Sequence, residues 1–223
     1  MCAAPREELL RSAVVQIAGR CPRLVAQCYW AGTSAIALEE LGHRESFDLD
    51  FHTQEPLVDT RPLLAELERA FPGRLELVRA PDRFGSGFTG LLELKGGVKV
   101  TLQVFAGFES VPDADLVPST TAPALRRVAL TRYLADKVQC VLERIEARDM
   151  VDLAAVLRRH PHLDGVLRRA VAAQDALLLA ERLLGWTDRD IREDLRAHTD
   201  VDPNDAIAMR DKLLGLVRPG GMH

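Results

Sequence analysis

The sequence predicts an α/β (α+β) chain: a mixed sheet with helices in the first half, then an all-helical second half. Three observations carry this. Apolar residues alternate with polar ones around Asp48 and again between Thr89 and Phe105, the period of half-buried strands. Glycines and prolines break the first half into short segments of both kinds. Beyond about Pro123, nearly every apolar residue falls at helical spacing. The Pro-, Ser- and Thr-rich stretch from Pro112 to Pro123 divides the chain into an α/β domain, residues 1–118, and a helical domain, residues 119–223.

The elements follow in order. Leu9, Leu10, Ala13, Val14, Ile17 and Ala18 put an amphipathic helix over Glu7 to Ala18, stopped by Gly19 and Pro22. Val25 to Trp30 reads as a strand, Ala31 to Ser34 as a tight turn, and Ala35 to Leu41 as a helix closed by Gly42. Ser46 to Phe51 is a strand with Ser46, Asp48 and Asp50 on one face. A helix over Arg61 to Phe71 and a strand over Leu75 to Val78 come next, then a hairpin of Thr89 to Leu94 and Val98 to Phe105 around Gly96-Gly97. The second half is read as helices over Thr131 to Ala147, Met150 to Arg159, Leu163 to Leu184, Thr187 to Ala197 and Pro203 to Val217.

Composition bounds the function. With 47% hydrophobic and 28% charged residues and a mean hydropathy of -0.04, the chain can bury a core and is not expected to be disordered. No apolar run is long enough to span a membrane, and Glu7 and Glu8 interrupt the start where a signal peptide is apolar, so a cytoplasmic location is expected. Cys2, Cys21, Cys28 and Cys140 lack zinc or disulfide spacing and are read as reduced thiols. A net charge of -4 leaves room for nucleic acid only at a local basic patch.

Asp48 and Asp50, two apart on one strand, lie roughly 6 to 7 Å apart at their backbones, close enough to share a divalent ion such as magnesium. Asp-x-Asp is also compatible with a solvated strand edge. Gly32-Thr33-Ser34 precedes it, and a glycine turn opening a helix presents N–H groups and a positive dipole end to phosphate. Thr33 or Ser34 can equally cap that helix.

Together the residues Ala31-Gly32-Thr33-Ser34-Ala35 and Arg44-Glu45-Ser46-Phe47-Asp48-Leu49-Asp50-Phe51 resemble the AbiEii-type nucleotidyltransferase toxins of the polymerase β-like superfamily. A second block, Asp136-Lys137 through Arg144, Arg148-Asp149 and Asp152-Leu153, is similar to the downstream helical motif of that family. The resemblance spans about Tyr29 to Leu157. It implies transfer of a nucleoside monophosphate from an NTP, with magnesium or manganese on Asp48 and Asp50, in a cleft closed by the helical domain. Gly32, Thr33, Ser34, Arg44, Ser46 and Arg148 become nucleotide-binding residues, and Lys137 and Asp149 join the catalytic set. The acceptor it implies is the end of an RNA such as transfer RNA, in a toxin–antitoxin or phage-defence system with an antitoxin protein as partner.

Lys137, Arg144 and Arg148, at i, i+7 and i+11, read as one face of one helix. Asp149 and Asp152 also suit the first turn of a following helix. Arg126-Arg127, Arg158-Arg159 and Arg168-Arg169 are candidate RNA contacts or solvated surface. Trp30 and Trp186 are read as core or interface, and His43 as a turn residue.

One departure stands out. Polymerase β-like enzymes commonly carry a third carboxylate on a neighbouring strand, whereas the outward positions of the strand here are Lys99, Thr101 and Gln103. Either Glu93 on the hairpin substitutes, or two carboxylates suffice, or transfer is lost. The rival readings are thus a small-molecule adenylyltransferase, which requires an acidic acceptor pocket, and a catalytically silent protein that binds nucleotide or a partner.

Overall fold

The computed structural model describes residues 6–82, 87–144 and 146–217. The chain forms two compact units, Met1–Ala129 and Leu130–His223.

In the first unit α1 (Arg6–Arg20) is followed by α2 (Pro22–Gln27), β1 (Cys28–Ala31), α3 (Gly32–Ile36) and a π-helical turn (Ala37–Leu41). Then come β2 (Asp48–Thr53), α4 (Arg61–Ala70), β3 (Leu75–Arg79), β4 (Gly87–Glu93), β5 (Lys99–Phe105), β6 (Leu116–Pro118) and β7 (Arg126–Val128). The seven strands make one sheet in the order β3-β4-β5-β2-β1-β7-β6. β2 pairs in parallel with β5 and β1 with β7, and the other pairings are antiparallel. The sheet is therefore mixed, as expected.

One face of the sheet makes the core. Trp30, Leu49, Phe51, Leu102 and Val104 pack with Leu10, Val14 and Ile17 of α1 and with Leu63 and Leu67 of α4. Alternation leaves Asp48, Asp50 and His52 of β2 half-buried on the other face.

In this unit two local differences from the expected elements have clear causes. The segment before β1 is helical through Gln27, because Pro22 starts a helix readily and Glu66 of α4 reaches across to cap it. The Glu66 carboxylate accepts from Arg23 N–H at 3.0 Å and Leu24 N–H at 3.1 Å. Further on, β6 lies inside the Pro112–Pro123 stretch read as a linker and β7 just beyond it, and the first compact unit runs to Ala129. Those strands are three residues each, too short to show a period.

The second unit holds α5 (Leu130–Glu143), α6 (Ala147–Arg159), α7 (Asp164–Ala172), α8 (Ala176–Leu184), α9 (Asp188–Asp194) and α10 (Pro203–Val217). Leu134, Val138, Leu153, Leu167, Leu179 and Leu213 are among its buried residues. The single helix expected over Leu163 to Leu184 is two, because the Asp175 carboxylate caps a new start by accepting from Leu178 N–H at 2.9 Å. Among the described residues, no helix is long and apolar enough to cross a membrane. Cys21 and Cys28 are free buried thiols pushed up to about 12 by burial and then by the nearby Glu66 charge.

Candidate active site

β2 carries the two aspartates at its entry. Register puts Asp50 opposite Ala31 of β1 on one side and Gln103 of β5 on the other, and Asp48 opposite Thr101. The strand begins at Asp48, so Ser46 lies just before it, half-buried, rather than within it.

At Ala31 the chain leaves β1 and turns at Gly32 into α3. Gly32 has φ +71, in the left-handed region. A Cβ there would meet the Asp50 Cγ at 3.2 Å and Oδ2 closer still, so only glycine lets the turn seat against the carboxylate. The N-cap of α3 is Ala31, whose own side chain makes no capping hydrogen bond. Thr33 and Ser34 therefore do not act as the N-cap. The Thr33 hydroxyl accepts from Arg44 Nη2 at 3.1 Å, which brings Arg44 to the turn. Ser34 goes elsewhere: it is fully buried, and its hydroxyl accepts from the Trp30 indole N–H at 3.0 Å. Its position in the core, with Trp30, takes it away from the open face on which it was expected to meet nucleotide.

The structure does not bring Glu93 to the aspartates. It pairs with Lys99, two strands from β2 and one pair beyond Asp48, roughly 11 to 12 Å away at the backbone. Thr101 and Gln103 take the places beside the aspartates. Among the described residues, no group of three or more His, Cys, Asp or Glu side chains is placed to hold a metal ion.

In the helical unit, Lys137 is buried between two fully buried carboxylates, with Nζ 2.7 Å from Asp149 Oδ1 and 2.7 Å from Asp152 Oδ2. Arg144 forks onto Asp149, Nε to Oδ2 at 3.0 Å and Nη2 to Oδ1 at 2.9 Å. Burial opposes the Lys137 charge, but Asp152, Tyr133 and Asp149 outweigh it and raise its pKa above the ordinary lysine value. Arg144 is raised chiefly by its hydrogen bond to Asp149. α5 ends at Glu143 and α6 begins at Ala147, so Lys137, Arg144 and Arg148 do not share one helix. Arg148, partly exposed, pairs with Glu146 at 2.8 Å.

The family description that matches this chain is the nucleotidyl transferase AbiEii toxin of type IV toxin–antitoxin systems, over residues 32–217. The chain belongs to the AbiEii nucleotidyltransferase toxins. The match starts at the Gly32 turn and takes in both the β2 aspartates and the Lys137 cluster. No curated protein sequence matches the chain. Among solved structures, it is similar to a Helicobacter pylori protein proposed to be a nucleotidyltransferase, with TM-score 0.60 and 19% identity over 95% of this chain and 92% of that one. JHP933 from Helicobacter pylori gives TM-score 0.55 and 17% identity over 95% and 91%. MenT4, a nucleotidyltransferase toxin from Mycobacterium tuberculosis, gives 0.46 and 17% over 94% and 85%. The AbiEii chain here is a mixed seven-stranded sheet followed by helices, the arrangement expected.

Several arginines of this AbiEii chain are engaged with its own carboxylates. Arg127 is buried and pairs with Glu39 at 2.8 Å and Glu40 at 2.7 Å, and Arg126 pairs with Asp113. Arg158 pairs with Asp205, and Arg168 with Asp164. The first of these doublets lies on β7 rather than on a helix.

Sequence reasoning missed His52. It continues the alternation two residues past Asp50, and its ring lies 5.7 Å from that of Tyr29 and 5.2 Å from that of Phe105. Extending the strand by one period would have found it.

Proposed function

We propose that this toxin is a divalent-metal-dependent enzyme of the cytoplasm that transfers a nucleoside monophosphate from an NTP to the end of an RNA, transfer RNA being the preferred class. The observation that carries this reading is the seating of the Gly32 turn against Asp50. It puts the start of α3, where a glycine turn opens a helix and suits phosphate, beside a carboxylate pair suited to a cation.

The donor set fits magnesium or manganese. Such an ion takes one or two carboxylates together with waters and phosphate oxygens, so Asp48 and Asp50 suffice when the NTP supplies the rest. When bound, the metal neutralises charge developing on the transferring phosphoryl group.

The residues then divide the work. Gly32 and Thr33 hold the terminal phosphates through backbone N–H groups, and Arg44, anchored on Thr33, adds positive charge there. Ser46 lines the approach to β2. In the helical unit, Lys137 and Arg148 are the cations suited to phosphate, and Asp149 and Asp152 position Lys137 and keep it ionised. A cation fixed in advance costs no reorganisation when charge develops. Gln103, in place of a third acid, orients an acceptor hydroxyl with its amide oxygen, and as the hydroxyl oxygen bonds to the α-phosphorus and pyrophosphate leaves, the proton passes to solvent. Catalysis is then mostly positioning. As the toxin of its system, the enzyme is held in check by a cognate antitoxin.

Incubation with magnesium, each radiolabelled NTP and total cellular RNA, beside an Asp48→Ala, Asp50→Ala double variant, tests the proposal. Label on RNA with the wild type alone supports it and names the nucleotide. Intact NTP binding with no label on RNA removes the RNA-modifying reading.

A further inference from the structure

Two rows of side chains cross β1, β2 and β5 on the face of the sheet away from the α1 and α4 core. The first is Ala31, Asp50 and Gln103, and the second is Tyr29, His52 and Phe105. The second row lies one pair further along β2, roughly 7 Å beyond Asp50. Gly32 follows Ala31 and Arg44 precedes β2, so the turn lies toward the opposite end.

This ordering has a chemical meaning. In phosphoryl transfer the attacking and leaving oxygens are roughly in line on opposite sides of phosphorus. If the Gly32 turn holds the pyrophosphate that leaves, the acceptor oxygen enters from the side of the second row. That row offers rings and no carboxylate. Tyr29 is buried and backs His52, whereas His52 and Phe105 are half-buried and held at ring spacings of aromatic contact. Such a surface suits the π-face of a nucleobase. A polyamine or amino-sugar acceptor calls for carboxylates instead.

We propose that Tyr29, His52 and Phe105 form the seat for the terminal base of an RNA acceptor, on the side of the aspartate pair away from Gly32. The proposal rests on the RNA-transfer reading above for the identity of the acceptor. His52 and Phe105 are the binding residues, and Tyr29 positions His52.

The test uses the full chain and a single-stranded RNA ending in 2-aminopurine, with metal withheld so that nothing is transferred. Wild type and His52→Phe are expected to quench the probe. His52→Leu and Phe105→Leu are expected to bind it about tenfold more weakly, within the range that one base–aromatic stack supplies. In the metal-dependent assay, an RNA whose last nucleotide is abasic should lose about tenfold in kcat/KM, with the KM for NTP unchanged, and the leucine variants should cost nothing further on it.

Quenching indifferent to both leucine substitutions overturns the seat, as does equal use of abasic and intact ends. His52→Phe behaving like His52→Leu overturns it too, because the ring alone would then not suffice. Ring-dependent quenching without labelling of RNA by any NTP keeps the seat and sinks the transfer reading. Labelled RNA indifferent to rings and terminal base does the reverse. Label on polypeptide with no quenching removes both.

Discussion

Gly32 approaches the Asp50 carboxylate so closely that there is room for a hydrogen on its Cα and nothing larger. Gly42 provides the comparison: its φ is +57, yet a Cβ would meet nothing within 4 Å. Each alanine variant should cost about 1–2 kcal/mol for a left-handed backbone, read by urea denaturation. Gly32→Ala should in addition displace Asp50 and lower transfer roughly 100-fold, while Gly42→Ala leaves transfer intact. Equal activity of the two variants would refute the role given to the turn.

Asp48→Asn and Asp50→Asn preserve shape and remove charge. Each is expected to lower transfer by about 100-fold or more, or ~2.7 kcal/mol. Thermal stability should hold, since both side chains are only half-buried. Glu93→Gln should leave transfer unchanged, because Glu93 stands across from Lys99 and away from the aspartates. A Glu93→Gln variant as impaired as Asp50→Asn would show that it does supply the third carboxylate.

Lys137→Met leaves two fully buried carboxylates without their lysine. Breaking a buried pair from one side costs about 3–5 kcal/mol. Lys137→Met with Asp152→Leu should recover part of that in denaturant titrations, without restoring transfer. Recovery of transfer as well would make the cluster purely structural.

Glu39 should shape the acid limb of stability. Its side chain is out of water, which favours the neutral acid, but the Ser119 hydroxyl and the N–H groups of Thr121 and Thr120 outweigh this and hold its pKa below the usual 4.5. A depressed folded pKa means a contribution complete above about 4.5 and lost as pH falls through the lower folded value. Stability of the wild type should therefore fall over that window more steeply than that of Glu39→Gln. Parallel curves would show that Glu39 does not titrate as assigned.

The parts of this fold legible in the sequence were those with a period to read. β2, β4 and β5 alternate over six or seven residues, and the Gly96-Gly97 turn, at φ +81 and +78, joins the hairpin as expected. β6 and β7 have no such period, and the α7/α8 break depends on one Asp175 hydrogen bond. At the site, the aspartates and the glycine turn could be named because local spacing places them. The destinations of Ser34, Arg127 and Lys137 could not, since each is decided by a partner brought from elsewhere in the unit. Ser34 and Trp30 show how near that partner can be: four residues away, hidden by the turn between strand and helix.

The strand order also sets a schedule for biosynthesis. β2 is flanked by β1, already made, and by β5, which begins only at Lys99, while β1 waits for β7 at Arg126–Val128. Parallel pairings of this kind close long loops before any contact rewards them, so they form late. A ribosome has therefore made Asp48 and Asp50 well before it makes the strands that frame them. The aspartate pair is therefore not framed on both sides until most of the first unit has emerged.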